Sequence, residues 1–277
     1  MLAFMQERFS NVSASTWRQR FSDGEVFDSD GIALTCGAKF FVGQRLFYRR
    51  HIEGEITIPL TEHIVFEDEL IVIADKPHFL PTVPGGQYVK QTLLHRLQLS
   101  TNNPDLAAAH RLDRETAGLV LLVKNPRYRG AYQQLFATRN VQKIYQAVAP
   151  INAALQLPLD HQACIEESEH FMQMRVGKGQ HNSHTKIDVL KALNSELCLF
   201  LLRPSTGKKH QLRLHMASLG MPILGDQIYP TLQPFVPASA QAWDSPLQLL
   251  AQRLDFIDPV LQTERSFTST MQLRTAR

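Results

Sequence analysis

The sequence predicts an α+β fold, with strands and helices mixed in one large domain and a smaller unit ahead of it. Three observations carry that expectation. The chain has 277 residues, 44% of them apolar and 20% charged, the balance of a globular protein that buries a core and unlike that of a disordered one. Apolar runs of strand length occur at 64–66, 70–74 and 119–123. Elsewhere apolar residues recur at helical spacing beside start and stop signals.

In chain order, Phe9 to Phe21 carry a short helical pattern, with Ser13 or Ser15 as its cap. Gly24-Glu25-Val26, turn-rich sequence and the run Val42 to Arg50 follow, so residues 1–55 are expected to form a separate small domain. A linker is expected around His51 to Thr61, with residues 56–277 as the main domain. Ile64-Val65-Phe66 and Leu70 to Ala74 flank Glu67-Asp68-Glu69 and predict a hairpin. Leu119 to Val123 is a continuous apolar strand. Asn125 is then a good N-cap and Pro126 a good first residue for a helix over Arg127 to Thr138. Lys143 to Ala149 alternates enough for a strand. Leu212, Met216 and Leu219 have helical spacing and Gly220 supplies the stop, which puts Arg213 near a helix start, displaced from the apolar face. Beyond about Tyr229 no signal stands out, Trp243 and the tail from Asp255 included.

Composition narrows the function classes. Twenty-nine Lys and Arg against twenty-six Asp and Glu give a net charge of +3, too little for a protein that coats nucleic acid. The three cysteines, Cys36, Cys164 and Cys198, are far apart and form no CxxC pair, which fits a reducing cytoplasm better than a disulfide scaffold. No apolar run approaches the roughly 18 residues of a membrane span, and Met1-Leu2-Ala3-Phe4 opens no signal peptide. The charge is unevenly spread, however. No acidic residue occurs from Thr116 to Leu159 or from Leu197 to Gly225. These stretches hold Lys124, Arg127, Arg129, Arg139 and Lys143, and Arg203, Lys208, Lys209 and Arg213. They are expected to line one positive face around a cleft, as binding to nucleic-acid phosphates requires.

The segment densest in chemistry is His110-Arg111-Leu112-Asp113-Arg114-Glu115-Thr116-Ala117-Gly118-Leu119. Asp113 stands between two arginines just before a buried strand. Flanking cations favour the ionised carboxylate, which suits a nucleophile or charge stabiliser better than a general acid. The residues alone leave a surface ion-pair knot open.

This segment resembles the catalytic motif of RluA-type pseudouridine synthases, HRLD followed by a T-S-G-L-like stretch. Three further segments match in order: Val72 to Pro77 with Leu80-Pro81 and Pro84-Gly85; Lys143-Ile144-Tyr145-Gln146-Ala147; and Gly207 to His215 continuing to Pro222-Ile223-Leu224-Gly225-Asp226. Together they cover about residues 62–230. Ala117 replaces the usual Ser, Phe79 the usual Gly, and Lys208-Lys209 the usual Arg-Thr. The resemblance implies a mostly antiparallel sheet with flanking helices around a central catalytic cleft. It also implies a cofactor-free, metal-free isomerase that converts uridines of ribosomal or transfer RNA, acting as a monomer. It assigns Asp113 as the catalytic carboxylate, by covalent attack or by removal of a sugar proton. Arg213 would pair with Asp113, and Tyr145 would stack on the uracil. Arg111 would enter the RNA where the target is flipped out, Lys143, Lys208, Lys209 and His210 would hold phosphates or order the site, and Leu214 would wall the base pocket. More weakly, Ser13 to Arg18, Gly24-Glu25-Val26 and Val42 to Leu46 resemble the small RNA-binding domain of ribosomal protein S-four.

Two other readings are open at this stage. A nucleosidase or glycoside hydrolase would use Asp113 and Glu115 as paired carboxylates, the second with a raised pKa. An RNA-binding protein without catalysis would use the amino-terminal domain and the basic stretches. The histidine pairs His181/His184 and His210/His215 lack a carboxylate or cysteine at ligand spacing, so no metal site is expected.

Overall fold

The computed structural model describes residues 1–10, 12–49, 52, 54–234, 236–237 and 240–274. The chain divides into two compact units, Met1–Glu53 and Gly54–Arg277.

In the first unit, helices α1 (Leu2–Arg8) and α2 (Ala14–Ser22) pack with a two-stranded antiparallel sheet, β1 (Val26–Phe27) and β2 (Phe47–Tyr48). The single helical pattern over Phe9 to Phe21 is therefore broken. Phe9 closes α1, and the Ser13 hydroxyl accepts from the Thr16 N–H (3.1 Å) to start α2. The cap wins because it satisfies a first-turn N–H that has no helical acceptor. Met5, Trp17, Phe21 and Val26 are buried together, with Tyr48 edge-on to Trp17 at 5.1 Å. Arg20 lies 4.9 Å over the Trp17 ring, which commits that basic side chain to the core.

The segment expected as a linker is tied down over 55–61. The Glu55 carboxylate accepts from the N–H groups of Val89, Lys90 and Gln91, Ile58 is buried, and Arg96 donates to the carbonyls of Ile58 and Leu60. Arg50, His51 and Glu53 lie outside the described residues.

The second unit is built on one mixed sheet. Its strands are β3 (His63–Glu67), β4 (Ile71–Lys76), β5 (Ala107–Ala108), β6 (Ala117–Val123), β7 (Val141–Pro150), β8 (Leu159–Glu167), β9 (Met174–Gly177), β10 (Ser183–Ala192), β11 (Leu197–Pro204), β12 (Leu249–Ile257) and β13 (Glu264–Thr268). They run in the order β3-β4-β6-β12-β7-β11-β10-β8-β9, with β5 on β6 and β13 on β12. Among the described residues every pairing is antiparallel except β6 with β12. Strands β4 and β6 are buried at every position because both their faces are covered. Val72, Ala74, Val120 and Leu122 face Leu93 and Leu97 of α3 (Leu93–Ser100). Ile71, Ile73, Leu119 and Leu121 face Tyr132 and Leu135 of α4 (Arg129–Ala137) on the other side. The Asn125 side chain accepts from the Arg127 N–H (2.9 Å) and opens a 3-10 turn, Pro126–Tyr128, that leads into α4. Leu212 and Met216 anchor α5 (Gln211–Ser218) on Ala147, Ala149, Phe200 and Leu202 of β7 and β11.

Strand β12 lies beyond Tyr229, where no signal stands out in the sequence, yet it occupies the centre of the sheet between β6 and β7. Ala251 faces Gly118 in the parallel register. Gly118 has φ +110°, and a Cβ there would fall on the Ala251 backbone, so this position of the motif requires glycine. After β13 the chain returns to β4, where Ser269 and Thr270 donate to the buried Asp75 carboxylate.

Candidate active site

Asp113 sits in the turn that enters β6, closed by the Thr116 N–H donating to the Asp113 carbonyl (3.2 Å). The segment after β4 fixes this turn from beneath. The Thr82 hydroxyl donates to the Leu112 carbonyl (2.9 Å) and accepts from the Leu112 N–H (3.1 Å). The fully buried Lys76 Nζ donates to the carbonyls of Arg114 (3.2 Å), Leu80 (2.7 Å) and Pro77 (3.0 Å). Burial pushes Lys76 down to about 7, against the opposing pull of Glu115 and Asp113. His78 Nδ1 meets the Glu115 carbonyl at 2.7 Å. His110, although part of the motif, is a supporting residue. Burial lowers it to about 3, its Nε2 accepts from the Leu121 N–H (3.1 Å), and its ring stacks on Phe136.

Among the described residues no hydrogen bond reaches the Asp113 carboxylate, whose side chain is one quarter exposed. Arg213 Nη1 stands 3.7 Å from Asp113 Oδ2 and 3.7 Å from Glu115 Oε2. The strong partner of Arg213 is instead Asp226, which accepts from Nε (2.8 Å) and Nη2 (2.6 Å). Asp226 also accepts from the N–H groups of Ile228 and Tyr229. The bidentate clamp fixes the guanidinium plane and leaves Nη1 buried, without a hydrogen-bond partner among the described residues and equidistant from Asp113 and Glu115. The expected Arg213–Asp113 pairing is thus a field across 3.7 Å and not a hydrogen bond.

Burial works to raise Glu115, but Arg114 and Arg213 outweigh it and hold its carboxyl below the usual range. Its Oε1 accepts from Arg114 Nε (2.8 Å). A glycosidase-like acid needs the opposite shift, so the paired-carboxylate reading loses its second group.

Tyr145 on β7 and Arg213 meet Asp113 around a cavity of about 110 Å³, with Arg111, Lys143 and Lys208 also in its wall. Burial and the Asp113 charge keep the Tyr145 hydroxyl protonated. Lys143, two residues earlier on the same strand face, donates to the Thr206 carbonyl (2.8 Å). Burial, then Arg139, lowers Lys143 to about 8. His210 precedes α5 in the left-handed region (φ 55°), with Nε2 4.0 Å from Asp113 Oδ2 and Nδ1 3.1 Å from the Tyr229 hydroxyl. That hydroxyl also accepts from the Met174 N–H (2.7 Å), which fixes its place beside the His210 ring. Lys209 lies in an adjoining cavity and donates to the Phe171 carbonyl (3.0 Å); Arg111 is exposed and lines both spaces.

One expected wall residue is elsewhere. Leu214 packs with Ile165, Ile228 and Tyr229, while Leu212 and Leu249 line the cavity. Successive helical residues point about 100° apart, so Arg213 faces the carboxylate while its neighbours take other sides. The acid-free stretches meet in part. Lys143 and Lys208 share the cavity, but Lys124 pairs with Glu67 (2.7 Å) and Arg129 with Asp105 (3.5 Å), away from it. The supporting set of Lys76, Thr82, His78, Asp226 and Tyr229 has no charge or spacing pattern of its own. Lys76 and Asp226 fall inside the matched segments, and His78, Thr82 and Tyr229 lie within three residues of them.

The family model described as RNA pseudouridylate synthase matches residues 70–218. The chain is 29% identical over 276 residues to an uncharacterized RNA pseudouridine synthase of Synechocystis sp., covering 99% of this chain and 94% of that protein. It is 34% identical over 220 residues to the dual-specificity RNA pseudouridine synthase RluA of Vibrio parahaemolyticus, covering 73% and 80% of the two. The solved structure of human RNA Pseudouridylate Synthase Domain Containing 4 aligns with a TM-score of 0.56 at 27% identity, over 76% of this chain and 88% of that one. The chain therefore belongs to the RNA pseudouridylate synthase family, in its RluA-type branch, and is an isomerase of uridine in RNA.

Proposed function

We propose that Asp113 is the catalytic carboxylate, with Tyr145 and Arg213 completing the reacting site. The observation that supports this most is the convergence of an unbonded carboxylate, an unpartnered buried guanidinium N–H and a protonated phenol on one cavity. The reaction breaks the bond from the anomeric carbon to N1, turns the uracil, and joins carbon five to the sugar. Carbon five releases a proton and N1 gains one, so the change is redox-neutral. Asp113 acts where the sugar develops positive character, by attack on it or by removing a sugar proton. The Arg213 Nη1 donor orients the carboxylate, while Asp226 holds the rest of the guanidinium still. The uracil stacks on Tyr145, Arg111 enters the RNA where the uridine is flipped out, and Lys143, Lys208, Lys209 and His210 take phosphates at the mouth or order the site.

The substrate we propose is structured ribosomal RNA, with transfer RNA as the second arm of the test; relatives named for the ribosomal large subunit and for tRNA support examining both. The first unit would add a second RNA grip. The acting form proposed is a monomer, since Asp113, Tyr145 and Arg213 all belong to the same compact unit. Free thiols at Cys36, Cys164 and Cys198 support a cytoplasmic setting. Among the described residues no helix is long and apolar enough to cross a membrane. Purified protein incubated with RNA from cells lacking it is expected to form pseudouridine at discrete positions, and Asp113→Asn to form none. Equal activity in Asp113→Asn would overturn the assignment.

A further inference from the structure

Beside the reacting cavity lies a second one of about 390 Å³, which shares Arg111, Leu112, Asp113 and His210 with it. Its volume falls within the range of ligand sites, about 300–1,000 Å³. One wall is Tyr88, whose hydroxyl accepts from Arg114 Nη1 (2.9 Å) while the guanidinium lies 5.8 Å from the ring centre. The other is the β8–β9 hairpin tip, where Phe171 is 81% exposed and Met172 stands beside it.

An exposed Phe alone means little, because scattered apolar side chains are normal at surfaces. Phe171 differs in being held in place while exposed. Its carbonyl accepts from Lys209 Nζ (3.0 Å), the Ser168 hydroxyl bonds the carbonyl of His170 (2.8 Å), and Gln173 Nε2 donates to the Ile228 carbonyl (2.8 Å). The tether at Lys209 ties the aromatic tip to the residue next to His210. The tip is thereby fixed at the rim of the space that Asp113 opens into.

Flipping one nucleotide out of a stack strips its neighbour of a stacking partner. An aromatic face restores that stacking whatever the base. We propose that the second cavity is a subsite for the nucleotide adjacent to the target uridine, its base stacked on Phe171 and the linking phosphate held by Arg111 and Lys209. Arg111 lines both cavities, where a phosphate joining the two nucleotides would run. The inference rests on the uridine-isomerising reading of Asp113.

The test uses full-length protein and a short RNA spanning a uridine that the protein modifies in cellular RNA. An abasic site replaces each flanking nucleotide in turn. With the unmodified protein, one flanking abasic site is expected to lower kcat/KM about tenfold or more. Phe171→Ala should show the same loss on intact RNA and no further loss on that abasic RNA, and Phe171→Trp should restore coupling. Unchanged activity in Phe171→Ala, or equal losses from Phe171→Ala on both RNAs, would overturn the subsite. Absence of pseudouridine from the unmodified protein on intact RNA would instead overturn the reading of Asp113.

Discussion

Replacing Lys76 by Met separates stability from catalysis, because the two depend on different aspects of one buried ammonium. Met is unbranched and one atom shorter than Lys, and it carries no charge and no donors. At pH 7 the carbonyls of Pro77, Leu80 and Arg114 would each lose a partner, at about 1–3 kcal/mol apiece. Against this stands relief from burying an ammonium whose pKa falls from 10.5 to about 7, which is worth about 4–5 kcal/mol. The opposing effects are of one size, so Lys76→Met should fold with a stability within about 5 kcal/mol of the original. Activity has no such compensation, since the Arg114 carbonyl is the ammonium's hold on the turn that carries Asp113. We expect kcat to fall at least about tenfold, as a misplaced carboxylate would require.

The pH dependence gives the discriminating readout. Between about 7 and 10.5 the unfolded chain keeps the Lys76 proton while the folded chain gives it up. Unfolding free energy therefore rises with pH across that window, by at most about 2 kcal/mol between pH 7 and 9. Below pH 7 both states are protonated and the slope from this group vanishes. The neutral amine has only two donors for three carbonyls, which trims the rise. Urea unfolding of both proteins at pH 7 and 9 should show that increment in the original and not in Lys76→Met. An identical increment in both, or full activity in Lys76→Met, would refute the reasoning.

Two further outcomes follow from the same geometry. Lys143, lowered to about 8 by burial and Arg139, loses its charge as pH rises through that value; KM for RNA should climb above pH 8 in the original protein, and Lys143→Arg should flatten the climb, as read from initial rates between pH 7 and 9.5. Gly118→Ala, at φ +110° against the Ala251 backbone, should destabilise by about 3 kcal/mol or more, seen as a shifted urea midpoint with partial loss of the soluble fraction.

Local features were the legible ones. The run Leu119 to Val123 reads as a buried strand because both its faces are covered, and Asn125 reads as a cap because its oxygen meets an N–H two residues on. Strand β12 was hidden for the opposite reason. Nothing local in Leu249 to Ile257 says that this segment inserts between β6 and β7. Ser269 and Thr270 are equally mute until the fold brings them to Asp75. In the site, the residues at the reacting cavity were legible through their motifs, whereas the side faced by Leu214 was not. One residue along a helix turns a side chain by about 100°, enough to exchange a cavity wall for an apolar cluster.

The order of the motifs along the chain has a structural cause. The segment at 76–82 sits first and touches no cavity with Lys76 or His78, yet its hydrogen bonds reach Leu112, Arg114 and Glu115 on both sides of Asp113. The segment ending at Asp226 comes last and acts through Arg213 in the same way. Each outer motif is a clamp on an inner one. Asp113 and Arg213 thus face each other at 3.7 Å without touching, each held from behind by its own partner. Such a gap orients the carboxylate while leaving its oxygens free, as the action on a sugar proposed for Asp113 requires. A direct hydrogen bond between them would have to be broken or shared before the carboxylate could react.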